Sequence, residues 1–311
     1  MTDTESSKMY DYKVSSKHRE DHKKYYGTDT IPIYSNDLKY KKYNDIDLNN
    51  IKNLDDMIDH DTVEYRIKEC ISTDGKTLDL SHLNLTKFPK LPNQLIQSVK
   101  YLFLSENKLE ILDDLKHFEK LSVIDLCHNR LTKLPIMPDR LKELMIRFNQ
   151  INDITSLNEC YSLRRLDCSH NLITELPNIN CLEILICDHN KISNLPAFQN
   201  LIRISCASNM IKELPPFPNI EIIECDKNYI TKICNYMGVR ELYCSNNQIT
   251  TISNVQKIDT IHCYNNKIKK IDYFENLKEL VCDYDDINIA SYYTIVNSKV
   301  YQNKIIAIYF K

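Results

Sequence analysis

The sequence of 311 residues lacks the features that mark several common classes of protein. It contains only 3 Gly and no Trp, and the scarcity of Gly argues against loops that bind phosphate groups. No stretch approaches the roughly 20 apolar residues that a helix needs to cross a bilayer. The first residues, 1–8, are too polar for a signal peptide. We therefore expect an intracellular, cytoplasmic protein that is not secreted through a signal peptide.

The sequence also lacks an excess of charge of either sign. It has 40 Lys and Arg residues against 43 Asp and Glu residues, for a formal net charge of -3 at pH 7. Such a balance provides no overall electrostatic attraction to nucleic acid or to an anionic membrane. We therefore predict that neither is a partner.

Motifs of catalysis and metal binding are missing as well. The sequence has no Gly-x-Ser-x-Gly motif, no His-Glu-x-x-His motif and no phosphate-binding loop. None of the 12 Cys stands three residues from another, so the Cys-x-x-Cys pattern of zinc and redox sites is absent. We therefore predict that the protein is not an enzyme, has no catalytic or metal-ligating residues and binds no cofactor.

What the sequence does contain is a column of cysteines at a fixed spacing of 19 residues. Three residues after each Cys comes an Asn, replaced by Asp285 in the last unit, and two residues later comes an Ile. The unit reads Leu-x-x-Leu-x-Cys-x-x-Asn-x-Ile-x-x-Leu-Pro, and a repeat of this length predicts a solenoid. The cysteines of the column are Cys168, Cys187, Cys206, Cys225, Cys244, Cys263 and Cys282.

This unit resembles the leucine-rich repeat, with Cys in place of the third Leu. The same frame extends upstream, where Leu80, Leu104, Leu126 and Ile146 occupy the Cys column. Proline-rich stretches such as residues 134–138 resemble the short-repeat effectors of bacterial pathogens. The Cys-, Asn- and Ile-rich composition is similar to that of leucine-rich-repeat proteins of giant viruses. These resemblances imply a viral protein or an effector that acts in the cytoplasm of a host.

The pattern predicts an α/β-type repeat solenoid with a concave parallel β-sheet. Apolar residues that alternate with polar ones are typical of a short strand with one buried face. A unit of 19 residues leaves no room for a full helix, so the convex side should be extended or 3-10 helical. Each Asn should bond to backbone groups outside the strand ladder. The members of this Asn spine are Asn107, Asn129, Asn149, Asn171, Asn190, Asn209, Asn228, Asn247 and Asn266.

The composition divides the chain into four segments. Residues 1–45 are charged and lack apolar periodicity, which predicts a polar, largely disordered tail. Apolar residues at near-helical spacing predict a helical N-terminal cap over 46–76. The repeats, about eleven of 19 to 24 residues each, cover 77–290. Residues 291–311 have β-branched runs and should close the other edge of the sheet as strands.

The Cys column has two interpretations. Stacked thiols could bind Cu(I) or zinc, or form a redox pair, because thiolates are soft ligands. Buried Cys also behaves as a small hydrophobic residue with a raised pKa, which makes it a poor ligand. We interpret the column as a structural Cys ladder without disulfides. His128, His170 and His189, which share the position before the Asn, are spread over four coils and lack the compact spacing of a metal site.

A solenoid binds its partners mainly on the concave face of its sheet. The two columns that flank the Cys contain six carboxylates and only one basic residue, Arg147, with aromatic side chains among them. Such a surface suits a basic segment of a partner protein. We predict an adaptor or effector, or alternatively a regulator or inhibitor of a host enzyme, or a structural or packaged scaffold component. The predicted binding residues are Asp167, Asp188, Glu224, Asp226, Tyr243, His262, Tyr264 and Asp283.

Overall fold

A computed structural model of the chain describes residues 62–268 and 274–283, and the backbone of one further strand, Ala307–Phe310. The predicted tail over 1–45 lies outside the described residues. Residues 46–61 of the predicted N-terminal cap also lie outside the described residues. Asp285 and most of the predicted C-terminal cap do so as well. No helix in the described ranges is long and apolar enough to span a bilayer.

The main element of the fold is a parallel sheet of 12 strands, in which each repeat contributes one short strand. Neighbouring strands pair in register, so that Leu185 lies opposite Ile204 and Leu242 opposite Ile261. This confirms the predicted leucine-rich-repeat solenoid. The strands are β1 (Thr77–Asp79), β2 (Tyr101–Phe103), β3 (Val123–Asp125), β4 (Glu143–Met145), β5 (Arg165–Asp167), β6 (Ile184–Ile186), β7 (Arg203–Ser205), β8 (Ile222–Glu224), β10 (Glu241–Tyr243), β12 (Thr260–His262), β13 (Glu279–Cys282) and β14 (Ala307–Phe310).

The core is a continuous stack of apolar columns that runs through the coils. In most strands the central residue is buried and its two neighbours are partly exposed, as the period of two predicts. Leu185, Cys187 and Ile192 of one coil are fully buried, and so are their equivalents Ile204, Cys206 and Ile211 in the next coil. Each coil can bury its apolar face only against its neighbours, so stability depends on stacking.

The convex side is mostly extended, with one 3-10 helix at Thr155–Glu159 and a two-stranded parallel sheet formed by β9 (Lys232–Cys234) and β11 (Thr251–Ser253). These strands lie in two adjacent coils that have Cys234 and Ser253 where most others have Pro. Proline has no N–H group and cannot donate to a ladder. The Pro-free coils at Leu112 and Ile154 lie between coils with Pro and form no strand. The convex prolines are Pro89, Pro135, Pro177, Pro196 and Pro215.

A short helix, α1 (Val63–Ser72), covers the first coil of the solenoid. Thr62 caps it, since its Oγ1 accepts a hydrogen bond from the Tyr65 N–H at 3.2 Å. Val63 and Ile67 pack against the apolar core. A second helix, α2 (Asn93–Ser98), lies in the connection between β1 and β2 and buries Leu95. At the other end, β14 pairs in parallel with β13.

Candidate functional site

The residue before each spine Asn has a left-handed backbone that the sequence analysis did not anticipate. In nine coils the φ of this residue lies between +52° and +58°, and His82, which precedes Leu83 in the first coil, has a φ of +61°; none of these ten residues is Gly. Non-Gly residues rarely adopt this conformation. It turns the chain sharply at the carboxyl end of each strand, and in several coils it presents the side chain to solvent. The members of this turn column are His82, Glu106, His128, Phe148, His170, His189, Ser208, Lys227, Asn246 and Asn265.

Each Asn of the spine joins two coils. The side-chain Nδ2 of Asn209 donates to the carbonyl oxygens of Cys187 at 2.9 Å and Cys206 at 3.2 Å. Its Oδ1 accepts from the Ile192 N–H at 3.0 Å. The same three-way pattern is found at Asn171 and Asn247. The amide side chain satisfies the backbone groups that the sharp turn removes from the ladder, so the spine is a structural feature.

The Cys ladder lies in the dry interior beside the spine. Cys168, Cys187, Cys206, Cys225 and Cys244 are free thiols with no exposed surface. Burial raises the pKa of each of these thiols well above its ordinary value. Among the described residues, no group of three or more His, Cys, Asp and Glu side chains is arranged to hold a metal ion. The ladder therefore packs as a column of small apolar groups.

Several predicted binding carboxylates serve the backbone of the concave sheet. The hydrogen bonds between strands do not use the backbone N–H of the residue that follows the Cys column. Asp167 accepts from this N–H in its own coil, at Ser169. Asp188 and Asp226 accept from the equivalent N–H of the next coil, at Ala207 and Ser245, both at 2.6 Å. These three carboxylates therefore have structural partners, which limits the surface that they offer to a ligand.

The environment of Asp188 also changes its titration. Burial raises the pKa of Asp188 to about 6, although hydrogen bonds from Ser205 and Ala207 act in the opposite direction. Burial likewise raises the pKa of Asp226. Both carboxyl groups are thus less readily ionised than solvated ones.

Five side chains of adjacent strands form a more open acidic cluster, the Tyr243 patch: Glu224, Glu241, Tyr243, His262 and Glu279. The Tyr243 hydroxyl donates to Glu241 Oε2 at 3.1 Å, and its ring meets the His262 ring edge to face at 4.8 Å between centroids. His262 Nε2 lies 2.9 Å from Glu279 Oε1. Burial and the charges of the three glutamates raise the pKa of Tyr243. Three carboxylates thus converge on one aromatic side chain.

Glu241 and Glu279 were not among the predicted binding residues, because those come only from the two columns that flank the Cys. The first residue of each strand also faces outward, as the alternation of period two implies. This column adds Arg165 and Arg203, and Arg203 forms two 3.0 Å contacts with Glu224. The concave face is therefore mixed in charge around β5 to β7 and becomes acidic from β8 to β13.

The remaining predicted binding residues lie at the C-terminal end of the same face. Tyr264 is partly exposed one coil after Ser245. Asp283 accepts a hydrogen bond from the Asn265 N–H. Tyr264 and Asp283 follow β12 and β13, next to the strands that carry the Tyr243 patch.

Four members of the turn column form a stack of rings, the ring column: His128, Phe148, His170 and His189. Successive ring centroids are 4.4, 4.1 and 4.2 Å apart, with interplanar angles of 13° to 25°. The Arg147 guanidinium lies 4.8 Å from the Phe148 centroid. His128 and His170 thus stack on opposite faces of Phe148, and His189 stacks on His170. Burial lowers the pKa of all three, and that of His170 to about 4.

We expect His170→Phe to make the protein less sensitive to acid. Burial, followed by the charges of His189 and Arg147, lowers the pKa of His170 to about 4, whereas imidazoles of the unfolded chain titrate near ~6.5. Stability that is present above pH ~6.5 is therefore lost as the pH falls toward 4. Phe148 shows that a Phe ring fits this column. Thermal unfolding at pH 7.5 and pH 5 should show a smaller loss of Tm in the variant than in the wild type.

Asp188 has the opposite effect in the same pH range. Its pKa of about 6 in the folded protein exceeds the ~3.9 of an unfolded chain, so lowering the pH through this window favours the folded state. Both proteins contain Asp188, and the difference between them isolates the imidazole. An equal loss of Tm in the two proteins would show that His170 does not govern the acid response.

Stacked short strands, an Asn spine and a Cys ladder define a leucine-rich-repeat solenoid. Among solved structures, the functional domain of InlJ from Listeria monocytogenes, which includes a cysteine ladder, is similar with a TM-score of 0.64 and 22% identity. The match covers 76% of this chain and 53% of that one, so the chain spans about half of the InlJ domain's length.

Two further structures show the same architecture. Internalin InlF from Listeria monocytogenes has a TM-score of 0.59 and 17% identity over 71% of this chain and 76% of that one. YopM, an effector of Yersinia pestis, has a TM-score of 0.55 and 22% identity over 72% and 81%. The predicted resemblance to bacterial effector repeats is thus confirmed at the level of the fold. No protein-family model and no curated protein matches the sequence.

Proposed function

We propose that the chain is a non-enzymatic protein-binding solenoid whose partner presents a basic segment to the acidic part of the concave face. The observation that supports this most directly is the Tyr243 patch. There, Glu224, Glu241 and Glu279 surround a partly exposed Tyr ring on a rigid sheet. Aromatic side chains with a polar tip are frequent binding hot spots. Lys and Arg side chains would find both carboxylates and aromatic faces there.

The same charges disfavour nucleic acid on this surface. A protein binds nucleic acid largely through Lys and Arg side chains that neutralise the phosphate groups. The outward side chains of β8, β10, β12 and β13 include Glu224, Glu241 and Glu279 but no Lys or Arg, whereas Arg165 and Arg203 lie on earlier strands. A protein partner therefore fits better than RNA or DNA.

Three biological roles are considered for the protein. An adaptor or effector in the cytoplasm, of viral or bacterial origin, would hold its partner without changing it. A regulator or inhibitor of a host enzyme would use the same face, and the activity of that enzyme would change on binding. A structural or packaged scaffold component would bind no discrete partner. The convergence of three glutamates on Tyr243 favours the first two roles, because a scaffold gains nothing from like charges placed together.

We expect a Glu241→Lys/Glu279→Lys variant to lose its partner. Reversing both charges replaces attraction of a basic segment by repulsion, which should weaken binding at least tenfold. Wild type and variant, immobilised at equal density, are incubated with cytosolic extract, and retained proteins are quantified by mass spectrometry. The affinity of the retained protein should also fall as the salt concentration rises.

A matched control has the same change of charge away from the sheet. Glu175→Lys/Glu213→Lys alters two exposed glutamates outside the strands and should retain the partner. Equal retention by both double variants would move the function away from the concave face. If none of the three proteins, wild type or double variant, retains a partner, the scaffold role is favoured.

A further inference from the structure

The ring column ends abruptly at Ser208. Each coil from His128 to His189 contributes a ring to the stack, with centroids 4.1 to 4.4 Å apart. The next coil has Ser208, whose backbone has the same left-handed conformation, with φ +56° against +54° at His189. The coil after that has Lys227. One position of the stack is thus occupied by a hydroxymethyl group, and one face of the His189 ring has no ring against it.

The dimensions of this gap match one aromatic ring. Adjacent coils lie one interstrand spacing apart, about 4.8 Å, so His189 and Lys227 are about 9.6 Å apart at the backbone. A ring between two groups in van der Waals contact needs about 7 to 8 Å. Lys227 occupies the equivalent turn position two coils after His189, with a φ of +55° against +54°, and its positive charge is, after burial, a cause of the lowered pKa of His189. Ser208 therefore lies between His189 and Lys227 in the turn column.

Two exposed apolar side chains lie beside the gap along the chain. Met210, two residues after Ser208, is 44% exposed, and Tyr229, two residues after Lys227, is 50% exposed. They occupy equivalent positions in adjacent coils, and the Tyr229 N–H donates to the carbonyl of Ile211, the residue after Met210. Neither side chain is needed to fill the core. The sulfur atom of Met210 and the ring of Tyr229 add apolar surface that a planar ligand could cover.

We propose that the coil of Ser208 forms a binding site for one aromatic side chain of a partner protein, inserted between the His189 ring and the Lys227 ammonium group. The inserted ring would continue the stack on one face and receive a cation–π contact on the other. This inference rests on the proposed function, because it assigns to the same protein partner a Trp, Tyr or Phe beside its basic segment.

Other planar groups fit this gap less well. A guanidinium could stack on His189, but it would be repelled by Lys227. A nucleobase has a suitable face, and its phosphate would favour Lys227, but the nearby concave face contributes Asp188, Glu224 and Asp226, which repel a polyanion. A neutral aromatic side chain satisfies both the stacking and the charge requirement.

The probe is N-acetyl-L-tryptophanamide, titrated into the full chain with ¹³C-labelled histidine. We expect a saturable upfield shift of the His189 ring signal at millimolar probe, because the indole ring current acts along the stack. N-acetyl-L-leucinamide should leave the signal in place. In Ser208→Phe the variant's own ring fills the position, and the shift should be lost. Phe148 has the same φ of +56°, so the backbone accepts this substitution, and an unchanged Tm would establish that the variant folds.

Asn246→Phe is the matched control, since it places the same ring in the turn column two coils beyond the gap. It should retain the shift of the wild type. Equal shifts in Ser208→Phe and wild type, or equal shifts with the leucine derivative, would overturn the assignment. So would adenosine monophosphate if it shifted His189 at lower concentration than the tryptophan derivative, because that result would indicate a nucleotide site.

The proposed function and this site can fail separately. If the partner is retained by Ser208→Phe as well as by wild type, but lost by Glu241→Lys/Glu279→Lys, the concave face is the interface and the aromatic site is wrong. Loss of the partner in Ser208→Phe by at least tenfold, with retention by Asn246→Phe, supports the site. If the tryptophan derivative binds but the double Lys variant still retains the partner, the aromatic site stands and the acidic face is wrong.

Discussion

Asn209→Ala is expected to lower the free energy of unfolding by about 3 to 5 kcal/mol. The side chain is buried and bonds to backbone groups of two coils, among them the Cys187 and Cys206 carbonyls and the Ile192 N–H. After truncation the Ile192 N–H stays buried without its acceptor, and the Cys187 and Cys206 carbonyls each lose one of two side-chain donors, keeping those of Asn190 and Asn228. Urea unfolding, followed by circular dichroism, measures the change as a lower midpoint at constant slope.

Asn209→Asp distinguishes the contribution of the amide donor from that of the amide acceptor. The carboxylate can still accept from Ile192 but cannot donate to the two carbonyls, so the variant should be at least as unstable as the Ala variant near neutral pH. Asn219→Ala is the control, because Asn219 donates to the Gln199 carbonyl in an exposed position and should cost less than about 0.5 kcal/mol. If Asn209→Ala and Asn219→Ala had similar stabilities, the spine would not be what holds the coils together.

Cys206→Ser is expected to lower the free energy of unfolding by about 2 to 3 kcal/mol. Cys206 has no exposed surface, and its neighbours in the column are the equally buried Cys187 and Cys225. A hydroxyl group in this column would lose its hydration and meet thiols that are poor hydrogen-bond partners. Chemical unfolding in the presence of a reducing agent measures the effect.

Cys206→Leu tests the size of the column with an apolar side chain. Coils that begin with Leu80, Leu104, Leu126 or Ile146 have 20 to 24 residues, whereas those that begin with Cys have 19. A shorter coil encloses less space, so Leu at position 206 should overpack it and cost about 1 to 3 kcal/mol. Cys234→Ser on the convex side, where the thiol is only half-buried, is the control and should be nearly neutral. If both Cys206 variants matched wild type, the ladder would not be a packing feature.

Cys spacing also explains why the fold could be predicted without a structure. A residue that recurs every 19 positions must occupy equivalent places in successive turns of the chain. The alternation of Leu185 and Cys187 with polar neighbours then decides which face of the strand is buried. The role of the Asn follows from its two-sided hydrogen bonding, which a turn beside a ladder requires. Fold, core columns and spine are thus properties of the repeat pattern.

The candidate surface could be predicted only in part. The acidic character of the face was visible in Glu224, Asp226 and Asp283, but the sequence does not show which carboxylates are already bonded. Asp188 and Asp226 have the same spacing as any exposed acidic residue, yet they accept from backbone N–H groups one coil away. Such contacts join residues 19 positions apart, and they depend on the exact offset between coils.

By itself, the sequence determined the solenoid, its buried columns and the Asn spine, because a periodic pattern must be satisfied in every coil. Only the tertiary structure decided the left-handed turn column, the stacking of His128, Phe148, His170 and His189, and the convergence of glutamates on Tyr243. It also decided that convex strands form where two adjacent coils both lack Pro. Each of these features requires two or more neighbouring coils at van der Waals or hydrogen-bond distance, and a linear spacing does not specify that distance.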